Sequence, residues 1–150
     1  MNEDTDKKGR GNGEYRGNIR DSGNEGWQQV AGKGEPGEGR TLDAQLNSSV
    51  RVLLIRSGGR VYATQTECGH MRFPLGEGKI EGSVITCPLH RAQFDLSTGA
   101  VVRRPRIPWI LRATKVGKQM GLISCNALHT YEVEERPEGV YIRRHVSVPM

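Results

Sequence analysis

The sequence has no uninterrupted apolar run long enough to span a membrane, which takes about 20 residues. Its first residues, MNEDTDKKGRGN, contain neither the apolar core of a secretion signal nor a twin-arginine pair. We therefore expect a soluble, cytoplasmic chain with no membrane span.

Cysteine is also scarce, since the chain has three, Cys68, Cys87 and Cys125. Cys68 and Cys87 each lie close to a histidine in the sequence, so Cys125 could form a disulfide only by consuming one of them. Disulfides belong mainly to oxidising compartments. The cysteine pattern therefore favours a reducing compartment, which agrees with a cytoplasmic location.

Apolar residues are nearly absent from the first 25 positions, where Gly, Asn and charged residues dominate and Tyr15 and Ile19 are the sizeable apolar groups. Such a composition cannot bury enough surface to offset the entropy of an ordered chain. It predicts a disordered, basic and Gly-rich tail over residues 1–25. One folded domain is expected over residues 26–147, with Trp27 in its first strand.

Acidic residues are missing between Asp95 and Glu132, and the cations within this stretch produce a local positive field. These cations are Arg103, Arg104, Arg106, Arg112, Lys115 and Lys118. The stretch has no known binding motif, which argues against nucleic acid. Two interpretations stay open, a docking face for an acidic protein surface and a solvated face with no partner.

Short β-rich runs alternate with turn residues through the middle of the chain. Two of them, within residues 50–65, flank Ser57-Gly58-Gly59, whose glycines supply the positive φ of a tight hairpin turn. Further short strands are predicted at residues 84–86, 93–96, 100–102 and 141–146. Many short strands at close spacing predict an all-β fold, a sandwich or a barrel.

One segment departs from the β pattern and has the period of a helix. Its apolar residues Trp109, Ala113, Val116 and Met120 stand at i, i+4, i+7 and i+11. A proline at the start of the segment suits the first turn of a helix. We expect one short inserted helix over about residues 108–120.

Two short arms, Cys68-Gly69-His70 and Cys87-Pro88-Leu89-His90, each offer one thiolate and one imidazole. Zinc fingers usually take both cysteines from one arm and both histidines from the other. A cluster in which one iron has two thiolates and the other has two imidazoles suits one Cys and one His from each arm. We predict that Cys68, His70, Cys87 and His90 bind a 2Fe-2S cluster, with a zinc site or a chance pattern as the alternatives.

The residues around the arms read ECGHMRFPLGEG and ITCPLHRAQFDLSTG. They resemble the Rieske ferredoxin family, whose pattern runs C-x-H, P-L and a glycine, C-P-x-H, F-D and T-G. The match is close over residues 62–99 and looser from 27 to 146. The resemblance implies an antiparallel β-sandwich or barrel with a two-loop cluster-binding subdomain, and it places His70 and His90 on the outer iron.

The same resemblance implies the function of an electron carrier. Such a carrier takes single electrons from a flavin reductase, gives them to an oxygenase or similar enzyme, and performs no substrate chemistry itself. Two other functions stay open, a Rieske-like small subunit within a larger reductase of the nitrite reductase type and a zinc-stabilised binding module.

The sequence departs from the oxygenase ferredoxins at Arg72 and Arg91, where that group commonly has glycine. An arginine would be strained there if the loops require a positive φ. Nitrite reductase small subunits tolerate residues other than glycine after the second histidine, so Arg91 slightly favours that alternative.

High-potential respiratory Rieske proteins add a disulfide between the two ligand loops, together with hydroxyl groups that donate hydrogen bonds to sulfur. Alignment of the arms puts Phe73 and Leu89 at the disulfide positions and Ala92 and Phe94 at the hydroxyl positions. None of these four side chains can form a disulfide or donate a hydrogen bond to sulfur.

Overall fold

The computed structural model describes residues 26–116 and 124–144, which form ten β-strands and one short helix. The strands are β1 (Gln28–Gly32), β2 (Thr41–Gln45), β3 (Arg51–Ser57), β4 (Arg60–Gln65), β5 (Lys79–Glu81), β6 (Val84–Thr86), β7 (Gln93–Asp95), β8 (Val101–Arg103), β9 (Thr130–Arg136) and β10 (Gly139–Arg144), and the helix is α1 (Trp109–Ala113). The predicted tail over residues 1–25 and the last residues of the predicted domain lie outside the described ranges.

A six-stranded antiparallel sheet has the order β1-β10-β9-β4-β3-β2, and its edge strands β1 and β2 approach each other so that it nearly closes into a barrel. The predicted hairpin of β3 and β4 lies within this sheet, between β9 and β2. Gly58 and Gly59 turn this hairpin with φ of 62° and 76°, values that glycine adopts easily. The predicted all-β fold and the predicted hairpin are both confirmed.

Strand β3 is buried on both faces, and this explains its unbroken apolar sequence VLLI. Val52 and Leu54 point into the core of the six-stranded sheet. Leu53 and Ile55, on the other face, pack into a second core that the four-stranded sheet β5-β6-β7-β8 covers. Strand β3 therefore joins the two sheets.

Three strands, β2, β5 and β9, were not predicted from the sequence. Their residues are mostly polar or charged, as in TYEVEER of β9 and KIE of β5, so they carry little of the apolar signal used to find strands. These strands are stabilised instead by pairing with a neighbouring strand. In β9, for example, the carboxylate of Glu132 accepts a 2.7 Å hydrogen bond from Nε of Arg143, directly opposite on β10.

The predicted inserted helix is confirmed over Trp109–Ala113 and begins directly after Pro108. None of its five residues is buried, so its apolar side chains make no core. Residues 117–120, which belong to the predicted span, lie outside the described ranges. Within the described parts of the chain, no helix is long and apolar enough to cross a membrane.

The turn at Gly99 provides a test of how the segment around Leu128 is held to the second sheet. Gly99 has a φ of 77°, and a Cβ there would lie 2.0 Å from the carbonyl oxygen of Leu128. Gly58 has a similar φ of 62° but open space around it. Gly99→Ala should therefore lower the free energy of unfolding by about 3 kcal/mol, against about 1 kcal/mol for Gly58→Ala. Chemical denaturation of both variants measures the difference, and equal losses would contradict this explanation.

Candidate metal centre

Two loops hold the predicted ligands, the first arm (residues 68–73) after β4 and the second arm (residues 87–92) after β6. Two equivalent backbone hydrogen bonds close each of these loops. In the first arm, the N–H of Cys68 donates to the oxygen of Phe73 at 2.8 Å, and the carbonyl of Cys68 accepts from Arg72 at 3.0 Å. The arms therefore have one backbone design, although one reads C-x-H and the other C-x-x-H.

The second arm repeats this closure between different residues. The N–H of Cys87 donates to the oxygen of Ala92 at 2.8 Å, and the carbonyl of Cys87 accepts from Arg91 at 3.1 Å. Each cysteine therefore has its backbone donor and acceptor satisfied within its own loop.

The residue that closes each loop has a left-handed backbone. Arg72 has a φ of 55° and Arg91 a φ of 59°, a region that favours glycine. The condition for strain at these arginines is therefore met. Their side chains differ in charge pairing, because Nε of Arg72 lies 2.8 Å from a carboxylate oxygen of Glu67. Arg91 forms no ion pair with any described residue.

The two thiols lie together at the inner end of the site. Cys68 and Cys87 are each 2% exposed and belong to the core shared by the two sheets. Burial raises the pKa of the Cys68 thiol to about 11, and the neighbouring Cys87 thiol adds to this rise. The backbone N–H of His70 donates to Sγ of Cys68 at 3.4 Å, and this hydrogen bond partly offsets the rise in the pKa of Cys68. A thiol in such a place becomes a thiolate readily when a cation binds to it.

The two imidazoles form a second pair, less buried than the thiols. The ring centroids of His70 and His90 are 5.0 Å apart, with the rings edge to face at 78°. Nδ1 of His90 is buried and has no hydrogen-bond partner among the described residues. Burial lowers the pKa of His90, and His70 lowers it further, so the neutral ring that can bind a metal is favoured.

The structure thus brings all four predicted site residues together as two pairs of like donors. Within residues 26–116 and 124–144, no group of three or more His, Cys, Asp or Glu side chains is placed to hold a single metal ion. A thiolate pair beside an imidazole pair matches the donor set of a two-iron cluster with unlike irons. The unpartnered Nδ1 of His90 fits that set, because a buried polar atom ordinarily has a partner.

A segment that sequence reasoning missed contacts the first arm and the turn between β7 and β8. The N–H of Asn126 donates to the oxygen of Gly69 at 3.0 Å, and the N–H of Leu128 donates to the oxygen of Gly99 at 2.8 Å. A Cβ on Gly69 would lie 1.9 Å from the oxygen of Asn126, so glycine is required there. The sequence around Asn126 has no periodicity that could have revealed this contact.

The basic segment after β8 also contacts the site through its backbone. The N–H of Arg106 donates to the carbonyl oxygen of His90 at 2.7 Å. Arg103, in β8, pairs with Gln93 directly after the second arm. The segment therefore begins beside the second arm, whose arginine, Arg91, has no ion pair with any residue that the structure describes.

Comparisons with known proteins agree with this geometry. Residues 26–126 match the Rieske [2Fe-2S] domain family. The ferredoxin component of the naphthalene 1,2-dioxygenase/salicylate 5-hydroxylase systems of Ralstonia sp is 32% identical over 79 residues, 53% of this chain and 75% of that protein. The ferredoxin component of the 2,4-dinitrotoluene dioxygenase system of Burkholderia sp. (strain RASC) is 33% identical over 81 residues, 54% and 77% of the two chains.

Solved structures share the fold. A chain in the complex of reduced oxygenase and oxidized ferredoxin of carbazole 1,9a-dioxygenase superposes with a TM-score of 0.63 at 24% identity, covering 84% of this chain and 100% of that one. The Sphingomonas yanoikuyae B1 ferredoxin superposes with a TM-score of 0.60 at 21% identity, covering 77% and 95%. The family match spans both arms and most of the described residues. The chain therefore belongs to the Rieske [2Fe-2S] domain family, and its cofactor is a Rieske-type 2Fe-2S cluster.

Proposed function

We propose that this chain is an electron carrier that takes single electrons from a reductase and delivers them to an oxygenase or a similar redox enzyme. The paired thiols and paired imidazoles of the two arms carry this proposal. The relatives support it, because they are ferredoxin components of dioxygenase systems. The carrier performs no substrate chemistry of its own. We also propose that residues 26–147 form its domain and that it works in the cytoplasm, as its cysteine usage favours.

The ligand roles follow from burial and from the donor atoms. We assign Cys68 and Cys87 to one iron and His70 and His90 to the other. When bound, the cluster supplies a site that stores and releases one electron. The thiols hold the inner end within the apolar core, and the less buried imidazoles present the other end towards the surface. Neutral imidazoles add no negative charge, which makes acceptance of an electron easier than with four thiolates.

A second candidate function is that of a Rieske-like small subunit within a larger reductase. Arg91 favours it, because those subunits tolerate residues other than glycine at this position. Stable co-purification with a large catalytic subunit would support this second function, whereas a carrier purifies alone and exchanges electrons through transient complexes.

Single substitutions test the ligand assignment. His70→Ala and His90→Ala should each abolish the two-iron site, because each removes a donor that no described neighbour replaces. The parent should contain about two irons and two sulfides per chain. His129→Ala is the matched control, since His129 is exposed and lies outside both arms. A parent with one zinc and no sulfide, or a His129→Ala variant that loses iron as His90→Ala does, would contradict the assignment.

The reduction potential tests whether the site lacks the hydrogen bonds to sulfur that raise the potential of other Rieske proteins. Phe73 and Leu89 lie exposed on the two arms, and Ala92 and Phe94 are fully buried beneath them. None of these side chains offers a hydroxyl or a thiol. Hydrogen bonds to sulfur stabilise the more negative reduced state, so their absence should keep the potential near the low end of the Rieske range, about -150 mV. Protein-film voltammetry measures it, and a value above about +100 mV on that scale would refute the argument.

A further inference from the structure

The surface beside the second arm carries a concentration of exposed cations. They form what we call the second-arm basic face, namely Arg91, Arg103, Arg104 and Arg106, all of them exposed. None of them forms an ion pair with another described residue. No described residue therefore neutralises these charges, and they can attract a partner.

The first arm is different. Its own left-handed arginine, Arg72, is neutralised by Glu67 at 2.8 Å. The two arms thus share a backbone design but differ in charge, and the positive field is on the His90 side.

The backbone fixes the second-arm basic face close to a proposed ligand. Arg91 directly follows His90 in the chain, and the N–H of Arg106 donates to the oxygen of His90 at 2.7 Å. A protein that covers these cations is thereby brought to the His90 edge of the site.

The conformation of Arg91 adds an independent argument. Its φ of 59° is one that glycine adopts without strain, and arginine does not. Glycine would close the loop equally well, since the closing hydrogen bond uses the backbone N–H. Arg72 has the same strain, but its guanidinium pairs with Glu67, whereas the guanidinium of Arg91 has no ion-pair partner among the described residues. The strained residue without such a partner is the one whose side chain points to a function.

Exposed apolar residues three to five positions after Arg106 in the chain favour a protein over a small anion as the occupant. Trp109 is 77% exposed, and Ile110 and Leu111 next to it are also exposed. An apolar centre with a charged rim is the usual composition of a protein interface. The surrounding positive charge selects a partner with an acidic surface.

We propose that the second-arm basic face docks an acidic protein partner, and that electrons enter and leave at the His90 edge in preference to the His70 edge. This inference rests on the proposed function. Exchange moves one electron from the reduced protein to the oxidised partner, or the reverse, and no bond forms or breaks.

Two small oxidants of opposite charge test the field at this edge. The dithionite-reduced protein is mixed with ferricyanide, an anion, or with hexaammineruthenium(III), a cation, and its oxidation is followed by stopped-flow absorption. Arg91→Gly should slow the reaction with ferricyanide about threefold at low ionic strength and speed the reaction with the cation, with both effects fading in salt. Arg91→Lys, which retains the charge, should react at the parent rates.

Two control variants separate charge from strain. Arg60→Gln removes one exposed cation at the far end of β4, roughly 16 Å from the strand end that leads into the first arm, and should react as the parent does. Arg72→Gly combined with Glu67→Gln relieves the same left-handed strain without a change in net charge. This double variant and Arg91→Gly should both raise the melting temperature, but the double variant should leave both rates unchanged.

Equal ferricyanide rates for Arg91→Gly and the parent, or equal slowing by Arg60→Gln and Arg91→Gly, would overturn the docking inference. A protein that lacks iron and shows no visible absorption would instead overturn the proposed function, so the two failures are distinguishable.

A lipid surface is the competing occupant of this face. A separate measurement tests whether the face binds lipid. The tryptophan fluorescence of the parent should not change when vesicles of phosphatidylcholine and phosphatidylserine are added. A blue shift in the parent that is lost in Trp109→Ala would assign this face to a membrane and overturn docking to a protein.

Discussion

The closure of the two arms is the constraint on which the rest of the site depends. Each cysteine carbonyl accepts a hydrogen bond from the residue four positions later, and each cysteine N–H donates to the residue five positions later. This geometry requires a left-handed residue in each loop, which explains the φ values of Arg72 and Arg91. It also turns the two cysteine side chains into the core while the histidines stay nearer the surface.

The spacing between the arms is set by the core that lies beneath both. Cys68 and Cys87 pack in one apolar cluster with Leu53 and Ile55 of β3 and with the fully buried Phe94 of β7. Burial of a side chain such as Phe94 stabilises the fold by roughly 1.5 to 3 kcal/mol, so the two sheets are held firmly against each other. The donor pairs therefore depend on tertiary packing that joins distant parts of the chain.

The sequence was most informative where the physical signal is local. Gly58 and Gly59 revealed the hairpin because a tight turn needs positive φ, and the two arms revealed the donor set because each ligand type appears once in each. Family resemblance then identified Arg72 and Arg91 as the unusual loop residues. The strands β2, β5 and β9 escaped notice because their stability comes from paired neighbours. The contact between Asn126 and Gly69 joins residues far apart in the sequence, so it leaves no local pattern.

The central claim is that two thiolates bind one iron and two imidazoles bind the other. The most direct test is electron–nuclear double resonance on the dithionite-reduced protein, prepared with ¹⁵N-labelled histidine. The account predicts couplings from two inequivalent histidine nitrogens, one each from His70 and His90. A paramagnetic cluster without histidine coupling, or a protein that stays diamagnetic and contains zinc, would contradict it.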